Sequence, residues 1–570
     1  MTLKRRYLVL IIGLLVMLSG VTLAVNTQTN FGSVIVTEVN FQSTDGSTIH
    51  STLQKPVYAT TTDPLPGVAV IHGSLQSKEW LMAFGIELAR RGFVVLTIDA
   101  NGHGNSDPGS GAGIAAVEYL SALDFVDSSS IGIIGHSMGG SYAWSAVNYS
   151  NVAIKSLVLV GARVELNTSY TPDTLLAIGD FDSLFTRYTT NLTTLEPFFN
   201  VTDIEIGVTY GSFSKGTARR LVIARTNHLF ETIHPLIVQE SIEWMKDSLK
   251  GGVEDTHWIP SSQLTYPLWL VGGLVGLLGI LLTIFPLFVI LLDSSYFMVI
   301  KKEKSEETPS ISTKSFLEYS LLFGFLGVIL FYPMLIVGGL LDSVIHFPPS
   351  YGLPIITWIL GGGLVTALTL SYILKRRNKV ELKELIDLDK DQSTFLNGFL
   401  RAFLMGGIVT VWLYFWTIIV DWGFVLDLRC FLPGFNDLTI LQALSLPIFF
   451  IAFLVYFVQE GAWHSSILKR LPEGEFYRSQ ISWTLKALFA KCFPYIILIA
   501  FEYGGGYLTG RALVPGMIGY SFLFFYAFLP WFAVTTVITV WGYRLTNNVY
   551  PAAMVNALMC AWLIASILAI

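Results

Sequence analysis

Cysteine is nearly absent, with 3 in 570 residues. Cys430, Cys492 and Cys560 all lie in the second half of the chain. The first half therefore has no disulfide, and apolar burial must carry its core unaided. Charge is also scarce. Only 13% of the residues are charged, against about 25% in a soluble globular chain. The net charge of −6 is spread without basic or acidic blocks, which excludes a nucleic-acid-binding surface. No metal ligand set is assigned and no cofactor is expected. What the chain has in excess is apolar sequence, with 52% hydrophobic residues and a mean hydropathy of +0.59. The excess is uneven. Residues 30–258 have the composition of a soluble domain, whereas 265–570 is a series of apolar runs. Each run is long enough to cross a bilayer, which takes about 20 residues.

The most informative stretch is Ile131-Gly-Ile-Ile-Gly-His-Ser-Met-Gly-Gly140. A short apolar run, Ile131 to Ile134, reads as a buried strand. It enters Gly135-His136-Ser137-Met138-Gly139, a G-x-S-x-G pattern. That spacing suits a serine on a tight strand-to-helix turn, where the positions two before and two after must lack side chains. A helix of small residues follows from Met138 and aims its free N–H groups at the serine. The bland alternative is a glycine-rich turn with an idle serine.

Strands and helices alternate around this point. Residues 33–55 alternate apolar and polar about Thr44-Asp45-Gly46, which reads as a hairpin, with Asp45 serving the turn. Gly67–Gly73 and Phe93–Asp99 are buried strands, separated by a helix near Trp80–Arg91. A helix near Gly113–Phe125 precedes the Ile131 strand. Lys155–Gly161, Thr174–Gly179 and Leu221–Ala224 are further strands, and Leu236–Leu249 is a closing amphipathic helix. The pattern implies a mostly parallel sheet with helices on both faces.

These motifs, taken in order, resemble the α/β-hydrolase superfamily over roughly residues 33–250. The resemblance rests on His72-Gly73, Asp99 with Gly102-His-Gly-x-Ser106, Gly135-His-Ser-Met-Gly-Gly140, Gly179-Asp-Phe-Asp182 and Arg225-Thr-Asn-His228. It implies an α/β-hydrolase fold without a large cap, because the loop at 162–173 is too short to fold into one. It also implies a serine hydrolase with an acyl-enzyme route. Ser137 would be the nucleophile, Asp182 the acid and His228 the base; Asp180 and His234 are the alternatives for the last two. The oxyanion hole would use the backbone N–H groups of Met138 and Ser74. His72, His103 and Asp99 are read as structural. The site should be open, or roofed by segment 184–220 or by the apolar half. Phe198, Phe199, Tyr210 and Phe213 could line an acyl pocket and are equally explained as core aromatics.

Lys4-Arg5-Arg6 precedes an apolar segment from Tyr7 to about Val25. It reads as a signal anchor within residues 1–29, with a cleaved signal peptide as the alternative. Eight further spans are expected near 267–292, 318–341, 353–374, 401–420, 440–458, 485–503, 516–540 and 550–569. With the N-terminus cytosolic, the inner loops include Lys301, Lys302, Lys304, Lys314, Lys375, Arg376, Arg377, Lys379, Lys383, Lys469, Arg470, Arg478 and Arg544. The outer loops hold only Arg429 and Arg511. This bias makes the chain an integral membrane protein with residues 30–258 extracytoplasmic and an all-α transmembrane part at 265–570. The sequons at Asn148, Asn167, Asn191 and Asn200 all fall in the exported part. Few charges lie inside the spans. Gln459-Glu-Gly-Ala-Trp-His464, read as a polar loop at a span exit, faintly resembles the glutamate motif of the CAAX-type prenyl-protease and bacteriocin-processing family. It departs from that motif at Gln459 and His464, and the family's later histidines would fall near Leu529 and Asn556, so the resemblance implies lost chemistry. The expected partners are a small acyl or lipid-like substrate and the membrane. The rival reading is an inactive hydrolase-like module that serves a membrane transport or signalling domain.

Overall fold

Nine strands form one sheet in the computed structural model, which describes residues 3–165, 171–302, 313–378, 386, 392–429, 434–468 and 476–570. The strands are β1 (Val34–Gln42), β2 (Thr48–Pro56), β3 (Leu65–Ile71), β4 (Val94–Ile98), β5 (Val126–His136), β6 (Ile154–Val160), β7 (Asp173–Gly179), β8 (Thr209–Tyr210) and β9 (Arg219–Ala224). Their order is β1-β2-β4-β3-β5-β6-β7-β9-β8. The centre, from β4 through β9, is parallel. The β1–β2 hairpin and β8 close the edges with antiparallel pairs. The expected strands are all present. β5 begins earlier than expected, and the two-residue β8 is too short to leave a periodic signal.

Every residue of β4 and β7 is buried. Their apolar runs suit a parallel sheet covered on both faces. Side chains alternate between faces along each strand. Val68 and Val70 join Phe84, Ile242 and Trp244 on one side. Ala69 and Ile71 join Leu120, Ala143 and Trp144 on the other. Each such side chain contributes about 1.5–3 kcal/mol by leaving water, so this core stands without a disulfide.

Among the described residues, nine helices are long and apolar enough to cross a membrane. They are Lys4–Gln28, Tyr266–Leu292, Leu317–Ile345, Gly352–Arg376, Gln392–Phe424, Ile440–His464, Arg478–Thr509, Met517–Thr546 and Tyr550–Ile567. A helix stands at each of the nine expected spans, longer than expected except at Tyr550–Ile567. The first packs along Tyr266–Leu282. There Gly20 lies so close that a Cβ on it would meet the Gly276 backbone nitrogen. Close approach of small residues is how helices associate in lipid. Tyr550–Ile567 is the most enclosed span.

One expectation about the spans fails. Gln459, Glu460 and His464 do not form an exit loop. They lie buried in the helix Ile440–Leu468. Glu460 Oε1 accepts from Lys491 Nζ of a neighbouring span at 2.6 Å. Helical periodicity carries the motif inward, and the partner on another helix offsets the charge. Cys430, Lys304, Lys379, Lys383, Lys469, Arg470 and the Asn167 sequon lie outside the described residues. Asn191 and Asn200 are exposed, and Asn148 is half-buried.

The two parts interlock through a buried ionic knot. Arg429, from the loop after Gln392–Phe424, pairs with Asp427 at 2.5 Å and with Asp99 at the end of β4 at 3.4 Å. Asp99 also accepts the Lys78 N–H at 2.8 Å and the Asn105 N–H at 3.1 Å. Asn105 donates to Asp437 at 2.7 Å, and Gln442 donates to the Gly104 carbonyl at 3.0 Å. The Gly102–Ser106 turn is thus a docking surface for the helical part.

Candidate active site

The strands place the site. Ser137, Asp182 and His228 follow the C-terminal ends of β5, β7 and β9, the edge where open α/β sheets build their sites. Ser137 sits between β5 and the helix Met138–Tyr149 at φ 52°, ψ −115°. Such a conformation costs about 1–3 kcal/mol and persists only where neighbours impose it. The neighbours are visible here. A Cβ on Gly139 would strike the Ile71 carbonyl, and one on Gly135 would strike Gly139. The two glycines are needed so that β5, β3 and the helix can approach.

Asp182 and His228 meet: His228 Nδ1 donates to Asp182 Oδ2 at 2.8 Å. Asp182 Oδ1 accepts the Leu184 and Phe185 N–H groups at 2.7 and 3.2 Å. The alternatives are placed elsewhere. Asp180 pairs with Arg225 at 2.6 Å, and His234 stands just before the helix Pro235–Leu249, with no side-chain bond to it. His228 Nε2, the nitrogen a nucleophile would use, is buried without a hydrogen-bond partner. Ser137 and His228 line one cavity, yet the serine hydroxyl does not bond that nitrogen. Ser74 lines the same cavity. It precedes Leu75, held at φ 58°, while Gln76 Oε1 accepts the Gly73 N–H at 2.9 Å. Met138 opens its helix, where the first N–H groups have no intrahelical acceptor.

The sequence did not single out Glu231. It is fully buried, three residues after His228. Its Oε2 lies 3.3 Å from His228 Nδ1 and 3.5 Å from His136 Nε2. Its Oε1 accepts the Gly179 N–H at 2.6 Å. The imidazole N–H therefore faces two carboxylates. Burial pushes His228 down, but Asp182 and Glu231 more than offset this and raise it to about 10. Burial raises Asp182 to about 6, with His228 opposing. Burial also acts upward on Glu231, but the two histidines bring it down to about 2. Only the spacing His228-x-x-Glu231, one turn apart, could have hinted at this contact.

His136, His228 and Glu231 also form the one group of metal-type ligands among the described residues. The donor set fits poorly. His228 Nδ1 donates to Asp182, and His136 Nε2 donates to the His228 carbonyl at 3.0 Å. An ion there would have to displace both protons.

His72 is structural, as expected. Nδ1 donates to the Gly73 carbonyl at 2.7 Å, and Nε2 accepts the Ala100 N–H at 3.0 Å. Burial brings it down to about 4, so it stays neutral. His103 bonds the Asn101 carbonyl in its turn. Asp45 caps its hairpin through Ser47.

Against this geometry the comparisons can be read. Residues 62–198 match the profile of the serine aminopeptidase S33 family. That segment has the α/β-hydrolase fold and is similar to this family. The profile spans Ser137 and Asp182 but ends before His228. No curated protein is significantly similar to the chain. Among solved structures it is similar to a hypothetical protein of Pseudomonas aeruginosa, at 15% identity and TM-score 0.30, over 38% of this chain and 94% of that one. It is similar to an esterase of Pyrococcus furiosus, at 16% and 0.31, over 39% and 96%. It is also similar to DcsB, solved with a substrate analogue, at 14% and 0.29, over 38% and 99%.

For the pocket, the structure selects among the expected alternatives. Phe198, Phe199, Tyr210 and Phe213 do not line the cavity that holds Ser137. Phe199 packs with Phe198 and Tyr210, and Phe213 with Trp244, as core aromatics. Of the two expected roofs, the apolar half is the one present, with Tyr520 edge-on to the His228 ring at 5.8 Å.

Proposed function

We propose that this protein is a membrane-bound serine hydrolase that cleaves an acyl ester through an acyl-enzyme on the extracytoplasmic face. The observation that carries the reading is the strained Ser137 sharing a cavity with His228, whose Nδ1 is held by Asp182 and whose Nε2 is unengaged. Ser137 Oγ attacks the acyl carbonyl carbon as its proton passes to His228 Nε2. The Ser74 and Met138 N–H groups face the developing oxyanion, each worth about 3 kcal/mol. His228 returns the proton to the leaving oxygen as that C–O bond breaks. Water repeats the sequence on the acyl-enzyme, releasing the acid and restoring the serine. A thioester or amide would pass through the same machinery, with sulfur or nitrogen as the leaving atom.

Contacts support the orientation. The Gly516 N–H donates to Ser183 at 2.7 Å, and Arg225 donates to the Tyr507 carbonyl at 2.6 Å. Both join loops assigned outside to the hydrolase. Lys302 and Asn547, assigned inside, bond each other. The packing of the first helix on Tyr266–Leu282 supports a retained anchor.

One observation favours a second reading, a silent binding module. His228 is held protonated by two carboxylates and does not bond Ser137. Fluorophosphonate labelling of the full-length protein in detergent separates the two. Labelling that disappears in Ser137→Ala and His228→Ala is expected. A folded wild-type protein that stays unlabelled at every pH refutes catalysis and leaves the module.

A further inference from the structure

The cavity at Ser137 has a volume of about 330 Å³, the size of a small-molecule site. Its polar lining is concentrated at the hydrolase end, and the helical side adds only Tyr520, Tyr526, Ser566 and the paired Arg429. Ser137, His228 and Gln76 stand at the hydrolase end, and Gln76 is committed to Gly73 and His136. The charges at the side are satisfied too. Arg429 holds Asp427 and Asp99, and Glu79 holds Lys78. The remaining wall comes from the membrane helices, through Leu523, Phe524, Ala527, Phe528, Ile564 and Leu568. The two parts touch at the chemistry itself, since Tyr520 lies against His228 and Tyr526 lies edge-on to Phe230 at 5.2 Å.

Behind this wall is a second, smaller cavity of about 70 Å³ between the spans. Phe528 and Ile564 line both spaces and so divide them. Lys491 reaches the smaller one, but its Nζ is tied to Glu460 and, at 3.2 Å, to Thr535. Neither space offers a free charge among the described residues.

We propose, on the reading of the site as a serine hydrolase, that the membrane helices form the acyl-chain half of the active site. The substrate is then an ester or thioester of a long aliphatic acid. Its carbonyl sits at Ser137, and its chain runs along Leu523, Ala527 and Phe528 toward the Phe528–Ile564 partition. The physical reason is the lining. A polar group set among Leu523, Ala527 and Phe528 would lose its hydration against apolar side chains, whereas each methylene buried gains about fourfold in affinity. The membrane half is therefore part of the enzyme's specificity, and not only its anchor.

The test uses full-length protein in detergent, with p-nitrophenyl butyrate and p-nitrophenyl palmitate as substrates and a small fluorophosphonate as the serine probe. Wild type should prefer palmitate in kcat/KM. Ala527→Trp fills the path and should move the palmitate-to-butyrate ratio at least tenfold toward butyrate. Ile564→Ala opens the partition and should move it toward palmitate. The opposite signs guard against a variant that is merely damaged. Ratios within twofold of wild type in both variants, with wild type labelled by the probe, overturn the chain-binding role and leave the hydrolase standing. An unlabelled wild type that turns over neither ester overturns both. Two sources share this chemistry, a bilayer lipid and a soluble acyl thioester. Proteoliposomes containing a fluorescent diacylglycerol report the first, and palmitoyl-coenzyme A added to detergent-solubilised protein reports the second. Turnover of either is the expected result; turnover of neither by labelled protein counts against a long-chain substrate.

Discussion

Glu231→Gln should move the pH dependence of the site by one to two units. The carboxylate lies 3.3 Å from His228 Nδ1 and is fully buried. At that distance an effective dielectric near 20 sets an upper bound of about 5 kcal/mol on the attraction. The Nδ1–H is donated to Asp182 and Glu231 Oε2 takes no hydrogen bond, so the attraction is Coulombic. About 1.5–3 kcal/mol of it, the size of an interaction with a charged group, is the net contribution expected. At about 1.4 kcal/mol per unit, this corresponds to a fall of about 1–2 units in the His228 pKa, from about 10. Glutamine keeps an oxygen for the Gly179 N–H and loses only the charge. The sign follows from the mechanism. His228 must be neutral to accept the serine proton, so lowering its pKa makes the base available at lower pH. The acid limb of the fluorophosphonate labelling rate should therefore shift down by about 1–2 pH units. Stability has its own sign. Glu231 titrates at about 2, below its ordinary 4.5, so its contribution is present above about pH 4.5 and lost as pH falls toward 2. His228 is raised, so its contribution is complete below about 6.5 and lost as pH rises through about 10. A folded Glu231→Gln protein whose labelling limb coincides with wild type would refute the reasoning.

Other outcomes follow from single contacts. Gly139→Val should abolish labelling by forcing β3 and the elbow helix apart, which labelling alongside a thermal melt in detergent would show; a labelled, stable variant contradicts the elbow geometry. Arg429→Met takes the paired cation from Asp427 and Asp99 in a buried site and should destabilise by about 3–5 kcal/mol. Adding Asp427→Asn should recover part of the loss, and the check is thermal unfolding of the two variants side by side. Gly20→Leu should separate the first helix from Tyr266–Leu282, at a cost of about 1–3 kcal/mol or more for overpacking, seen as protease cleavage near residues 28–33 that wild type resists.

Local signals made much of this protein legible from its sequence. Apolar runs between turn residues gave the parallel strands, because a doubly covered strand must be apolar at every position. G-x-S-x-G placed the strained serine, because no other spacing clears the β3 carbonyl at Gly139. Run length gave the nine helices, because a bilayer fixes how much apolar chain is needed to cross it. Tertiary structure decided what lies between distant residues. It brought Asp182, rather than Asp180, to His228, because the Gly179 turn points one aspartate inward and the other at Arg225. It delivered Glu231 to the same imidazole and Arg429 to Asp99. It put the aromatics of segment 184–220 in the core and chose the apolar half as the roof. These contacts join residues from 3 to 330 positions apart, and each exists only once the sheet and the helices have packed.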